Sequence, residues 1–268
     1  MSLSWCKRYV AVLGLNRVGL CRREGREVEW LGSSDFDSER QPAWREALVT
    51  LERLLLERAI PGADLQVLLS SAYTRVFLVP WREQIASPTE LQAFARMCFD
   101  DIYGAQEEEW LLRLSPERTG MPRVASAMAL GMEAGLRALS AACSLKLVSV
   151  QPYLMAAFNH FRTHLPEDDL LFVLAEQGRS SLLFKHEGRW ASVRTVTGVD
   201  GGDALCRLID RERGLLQASG APVPAVYVHT PGYDELPDCM GVRLQTLSLP
   251  LPKMALRDAL YVMAQAVS

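Results

Sequence analysis

Long hydrophobic runs are missing from this sequence. No stretch approaches the roughly 20 apolar residues that cross a bilayer as a helix. The first residues, Met1-Ser2-Leu3-Ser4-Trp5-Cys6-Lys7-Arg8, lack the apolar core of a signal peptide. The expectation is a cytoplasmic protein. A charge of one sign is missing too: the net charge is −3. Arginines alternate with acids, as in Arg22-Arg23-Glu24-Gly25-Arg26-Glu27, so no basic face is offered to nucleic acid. The six cysteines, Cys6, Cys21, Cys98, Cys143, Cys206 and Cys239, include no C-x-x-C pair. Cys98 and Cys143 fall on apolar stripes of expected helices, so buried thiols are expected in place of zinc ligands or disulfides. No Gly-x-Ser-x-Gly and no complete P-loop are present, which leaves no defensible nucleophile. His160 and His164 stand four apart on one expected helix, but no H-E-x-x-H pattern accompanies them. A solvated helix face near its C-terminus is the better reading than a metal site.

What is there is ordinary globular material. The chain has 268 residues, 49% of them hydrophobic and 23% charged. That suffices for a substantial core in one domain or two. Three short strands open it, Tyr9–Leu13, Val18–Arg22 and Glu27–Leu31, separated by turns at Gly14-Leu15-Asn16 and Glu24-Gly25. A helix follows from about Pro42 to Arg58, with Trp44, Ala47, Leu48, Leu51, Leu54 and Leu55 on one face. Leu65–Leu69 is the next strand. The same βββαβ order returns later: strands Leu170–Leu174, Ser181–Phe184 and Trp190–Arg194, a helix from Asp203 to about Leu216, and the strand Val226–Val228. Leu205, Leu208, Ile209, Leu215 and Leu216 are expected on that helix's buried side. The second unit begins about 160 residues after the first, which points to a duplication. The fold class expected is α/β, a ribonuclease-H-like unit doubled into two lobes.

Between the copies, Val76–Val79 reads as a strand and Pro88–Tyr103 as a helix. Leu91, Phe94, Ala95, Cys98, Phe99 and Ile102 lie along one side of it, and Ser87, Pro88 and Glu90 mark its start. Strands at Trp110–Leu114 and Val124–Met128, a helix Gly131–Cys143, a strand Lys146–Val150 and a helix opened by Pro152 complete the stretch. The expected division is a first lobe over 1–165, with a small α/β subdomain inserted at about 76–145, and a second lobe over 166–268.

Several segments resemble one family in order and spacing. Val76–Trp81 followed by Ser87-Pro88-Thr89-Glu90-Leu91, then Leu147–Pro152, then Glu176-Gln177-Gly178 through Leu183, then Gly201-Gly202-Asp203 before a helix, are similar to motifs of the actin-like ATPase superfamily. Within it, the whole chain looks like the pilus-assembly protein PilM and the cytoplasmic domain of the type II secretion protein GspL. The resemblance implies an actin-like fold with a subdomain inserted in the first lobe. It also implies a nucleotide site built from loops of both lobes, and partner contacts within about Val76 to Val150.

Set against that pattern, the loops are eroded. The first phosphate loop is matched by Val12-Leu13-Gly14-Leu15-Asn16-Arg17-Val18-Gly19. Gly14 survives, but Val12 stands where a magnesium-directing Asp belongs, and hydrocarbon cannot steer a metal. Gly19 stands at the Lys position. Asn16 and Arg17 could still meet an anion. In the second loop Glu176 replaces Asp, and Gly178, Ser180 and Ser181 keep small, donor-rich character. The nucleoside loop is matched by His229-Thr230-Pro231-Gly232-Tyr233, where Gly232 is the single glycine and Pro231 removes a donor. Gly201 and Gly202 belong to the same notional site; capping of the following helix by Asp200 or Asp203 is the simpler role of those acids.

The resulting expectation is a scaffold, a pseudo-ATPase with no cofactor. It would dock the cytoplasmic tail of an inner-membrane partner in type IV pilus or type II secretion assembly, sit peripherally at that membrane, and form a homodimer if it self-associates. The alternative is a nucleotide-binding ATPase that takes ATP and magnesium with Glu176 and the Gly14 and Gly178 loops.

Overall fold

The computed structural model describes residues 7–25, 27–199, 201–220, 225–231, 244–249 and 258–267. In chain order, β1 (Arg8–Leu13), β2 (Arg17–Glu24) and β3 (Glu27–Asp35) are followed by α1 (Trp44–Arg58) and β4 (Asp64–Leu69). Next come β5 (Thr74–Val79), α2 (Pro88–Tyr103), β6 (Trp110–Leu114) and β7 (Arg123–Ala129). Then follow α3 (Leu130–Ala142), β8 (Lys146–Pro152), α4 (Tyr153–Phe161) and a 3-10 turn at Arg162–His164. The last part holds β9 (Leu170–Glu176), β10 (Arg179–His186), β11 (Arg189–Thr197), α5 (Gly202–Ala218), β12 (Val226–His229), β13 (Leu244–Thr246) and α6 (Ala259–Ala264).

Two compact units result, each discontinuous in sequence. One gathers the residues up to Tyr73, Gly131–His160 and the residues from Ser248 onward; the other gathers Thr74–Leu130 and Phe161–Leu247. The first unit is built on a sheet of order β3-β2-β1-β4-β8. β1 pairs antiparallel with β2 and parallel with β4. A central strand covered on both faces reads as an unbroken apolar run, and Tyr9 to Leu13 are all fully buried. α1 contributes Ala47, Leu48, Leu51, Leu54 and Leu55 to that core, the face read from its periodicity. Leu48 reaches the bare backbone of Gly135 on α3, where a Cβ would lie 2.5 Å from its Cδ1.

The second unit repeats the plan. Its main sheet has the order β11-β10-β9-β12-β13, again an antiparallel meander with two parallel strands added on the far side of its first strand. Both sheets therefore carry the ribonuclease-H-like order, and the fold is the duplicated α/β arrangement expected. α5 lays Leu205, Leu208 and Ile209 over Leu171, Val173, Ala175, Leu182 and Phe184. A second, three-stranded sheet of order β5-β7-β6 is covered by α2, whose Ala95 and Phe99 pack with Phe77, Val79, Leu112 and Ala127. Phe99 meets Phe77 and Trp110 at ring distances of 5.6 and 5.5 Å.

The turn between β6 and β7 is tied to β11. Arg189 donates to the Gly120 carbonyl at 2.6 Å, and the Trp190 indole N–H donates to Glu117 at 3.1 Å. Residues 74–130 accordingly pack with the second sheet, and the described residues from 248 onward group with the first. This grouping cuts across a contiguous 1–165 and 166–268 division.

Details depart from the sequence reading for local reasons. Ile102 is exposed, and Tyr103 takes its place on the inner side, its hydroxyl donating to the Val76 carbonyl at 3.0 Å. Leu215 on α5 is exposed, whereas Glu212 is buried and pairs with Arg194 at 3.2 Å. β8 runs through Pro152, so α4 begins at Tyr153. α4 then ends at Phe161, so His164 lies in the 3-10 turn and not on one continuous helix with His160. Cys21, Cys98 and Cys143 are free thiols, but Cys206 is disulfide-bonded, which corrects the expectation of thiols throughout. Among the described residues no helix is long and apolar enough to cross a membrane.

The start of α2 forms the complete capping box. Ser87 Oγ accepts from the Glu90 amide, and Glu90 accepts from the amides of Ala86 and Ser87 at 2.8 and 3.1 Å. Ser87→Ala should cost about 1 kcal/mol in urea unfolding. The two backbone donors hold the Glu90 carboxyl below its ordinary 4.5. Its contribution is therefore present above that value and lost as pH falls through the lower folded value. Glu90→Ala should lower the melting temperature at neutral pH, and the difference should shrink in acid; an unchanged difference would contradict the cap. Phe99→Ala should cost about 3–5 kcal/mol through the cavity it leaves.

Candidate functional site

Most of the residues singled out by sequence fall on two hairpins, one in each unit. The first joins β1 to β2. Leu13 pairs with Val18, and the Gly14 amide donates to the Arg17 carbonyl at 2.8 Å, closing a tight turn over Leu15 and Asn16. The Gly14 carbonyl accepts from the buried Tyr73 hydroxyl at 2.9 Å. The Asn16 carbonyl accepts from the Phe36 amide at 3.0 Å. Val12, the last but one residue of β1, is fully buried between Gly19 and Leu68.

Glycine serves a phosphate loop by offering an amide and a face without a side chain. Both are already committed at Gly14. Its amide closes the turn, and a Cβ there would lie 2.8 Å from Leu260 Cδ2. At Gly19 a Cβ would meet the Trp30 ring at 2.7 Å and Leu260 Cβ at 3.0 Å. The small residues of this hairpin thus form the seat of α6. Asp258 caps that helix, accepting from the Leu260 amide at 2.9 Å, and Tyr261 donates to the Val28 carbonyl at 3.0 Å.

Arg17 is engaged as well. Its guanidinium donates to Ser33 Oγ at 2.6 Å and pairs with Asp35 and Asp258, each at 2.9 Å. Burial, followed by the charge of Asp258, pushes the neighbouring Cys21 thiol up to about 12. Burial also raises Tyr73 above its ordinary range. Both groups stay neutral at physiological pH.

The second hairpin joins β9 to β10 within the other unit. Glu176 pairs with Arg179 across Gln177 and Gly178, and Gly178 takes a φ of 69°. That left-handed conformation suits glycine and strains other residues. Glu176 is buried. Burial and then Arg75 push the Arg179 guanidinium down from its ordinary value, while Glu176 opposes them. The carboxylate thus already faces a cation of its own chain.

The two serines separate. Neighbours along a strand point to opposite faces. Ser180 lies opposite Ala175 and Val196, on the face that α5 covers. Its hydroxyl is buried without a hydrogen-bond partner among the described residues. Ser181 lies on the other face, the side of Glu176, with its hydroxyl 3.1 Å from that of Thr195.

Gly201, with a φ of 86°, is the N-cap residue of α5, and Gly202 begins the helix. Asp203 sits in its first turn and not at the cap, which corrects the capping role offered for it. Asp200, Gly232 and Tyr233 lie outside the described residues. His229 is buried at the end of β12, with Nδ1 2.9 Å from the Leu247 carbonyl and its ring 5.0 Å from Phe161. Among the described residues no cluster of three or more His, Cys, Asp or Glu is placed to hold a metal.

Sequence reasoning missed Asp258 and Leu260, because a six-residue helix gives too few turns to show a period. The signal that could have found them is the pair Gly14 and Gly19: small residues in a buried hairpin call for a neighbouring side chain.

This architecture defines the class. The chain has the actin-like ATPase fold. No protein-family model matches its sequence, and no curated protein does. Solved structures match nearly end to end. A protein of actin-like ATPase fold and unknown function from Bacteroides thetaiotaomicron VPI-5482 aligns with a TM-score of 0.57 at 7% identity, over 88% of this chain and 84% of that one.

Two further matches come from assembly machines. A chain of the PilM-PilN type IV pilus biogenesis complex gives a TM-score of 0.60 at 15% identity, over 90% of this chain and 88% of that one. The cytoplasmic domain of EpsL, an inner-membrane component of the type II secretion system of Vibrio cholerae, gives 0.56 at 13%, over 96% and 94%.

Gly19→Ala should destabilise the protein by about 1–3 kcal/mol through overpacking. In the Leu260→Ala background the added cost of Gly14→Ala should fall, because the crowding methyl is gone, whereas that of Gly19→Ala should persist, because the Trp30 ring and the Cβ of residue 260 remain. Additive losses in the double-mutant cycle of Gly14 and Leu260 would contradict a direct contact.

Proposed function

We propose that the protein is a scaffold of actin-like fold, a pseudo-ATPase that docks a cytoplasmic segment of an inner-membrane component in type IV pilus or type II secretion assembly. One observation carries the pseudo-ATPase part: Leu260 fills the glycine face of the first hairpin while Arg17 is held by Asp35 and Asp258. Val12 adds a hydrocarbon side chain at the metal-steering position of the family pattern, and no Lewis-acid chemistry can be organised from it. The match to a chain of the PilM-PilN complex and to the EpsL cytoplasmic domain supports the docking part. On this reading the protein sits at the cytoplasmic face of the inner membrane, held there by its partner.

A second reading, a nucleotide-binding ATPase, is favoured by the second hairpin alone. Glu176, Gly178 and Ser181 stay together at one end of β9 and β10. Titration with ATP and magnesium, read by thermal shift, separates the two. The scaffold reading expects no change in melting temperature. A rise of several degrees that Glu176→Ala abolishes would favour the ATPase. For docking, crosslinking in native membranes should recover an inner-membrane assembly component; recovery of this chain with no membrane component would contradict that part.

A further inference from the structure

We propose that Asp258 is a built-in counter-anion for the first hairpin: its carboxylate takes, from within the chain, the place at Arg17 that an oxyanion of a ligand would occupy. A guanidinium presents a planar fork of donors that suits carboxylate and phosphate alike. Here two of its three nitrogens are held within the chain. Arg17 Nη2 meets Asp258 Oδ2 at 2.9 Å and Ser33 Oγ at 2.6 Å, and Nε meets Asp35 Oδ1 at 2.9 Å.

The two acids are not equivalent. The Asp35 side chain is 82% exposed and that of Asp258 11%. Solvent and salt screen the former pair heavily and the latter far less. Asp258 is also the better positioned. Its second oxygen, Oδ1, caps α6 through the Leu260 amide, so the carboxylate binds the hairpin and starts the helix at once. Two residues on, Leu260 occupies the space beside Gly14 and Gly19. Tyr261 then ties the helix to β3 through the Val28 carbonyl and an edge-on contact with Trp30 at 5.8 Å. Burial first, and then this same negative charge, raises the Cys21 thiol beside it. Charge, cap and apolar plug thus act as one latch that neutralises Arg17 and covers the hairpin.

The inference rests on the closed-hairpin reading above, and the test is chosen so that the two fail separately. Asp258→Ser removes the carboxylate but keeps an oxygen able to cap the helix. The probe is inorganic pyrophosphate, without metal and at low salt, read by thermal shift. The wild type should show no response. Asp258→Ser should gain a pyrophosphate-dependent rise of about 2–4 °C at saturation, and Asp258→Ser combined with Arg17→Gln should lose it.

Asp258→Asn, which keeps the side-chain volume and the cap acceptor, is the second variant should the serine substitution fail to fold; it should respond in the same direction. A folded variant that ignores pyrophosphate overturns the latch while leaving the closed hairpin standing. A wild-type response as large as the variant's overturns the latch too. A wild-type response to ATP with magnesium instead contradicts the closed hairpin itself.

Discussion

The packing of α6 on the β1–β2 hairpin is the contact on which the reading of the first unit turns. A hairpin rich in glycine leaves backbone uncovered, and something must cover it. In a nucleotide-binding loop the cover is a phosphate, approached by free amides. Here the cover is Leu260, while the Gly14 amide is tied to Arg17 and the Arg17 side chain to Asp258 and Asp35. The plug is apolar, and the charge beside it is already paired within the chain. The same glycines fit both uses, which is why their presence in a sequence does not by itself signal a nucleotide.

In the second unit one hairpin keeps a tight glycine turn while its two serines part. The turn at Gly178 has the backbone that such a loop needs. Yet strand alternation sends Ser180 under α5 and Ser181 to the side of Glu176. Glu176 is a buried carboxylate whose own chain already supplies a cation, Arg179. The inserted sheet, fixed to β11 through Arg189 and Trp190, gives this unit a second layer of folded surface beside the repeated sheet.

Much of this was legible in the sequence, because each repeat is announced by strong local signals. Alternation and tight turns place β1 to β3 and β9 to β11, and a clean 3.6-residue period places α1. Ser87-Pro88 with Glu90 fixes the start of α2, since all three features of the cap are local. What was not legible depends on partners distant in sequence. Tyr103 displaces Ile102 because a carbonyl on β5 is there to receive its hydroxyl. Glu212 is buried because Arg194 on β11 meets it. The site followed the same rule. The hydrocarbon side chain at Val12 could be read from one position, but the closure of the hairpin needs Asp258 and Leu260, more than 240 residues away.

The central claim is that the first hairpin is closed by this chain's own last helix, and amide hydrogen exchange tests it most directly. The Gly14 amide should exchange as slowly as the core of β1, together with the amide of Leu260, and ATP with magnesium should change neither. Fast exchange at Gly14, or protection that appears only when nucleotide is added, would contradict the account.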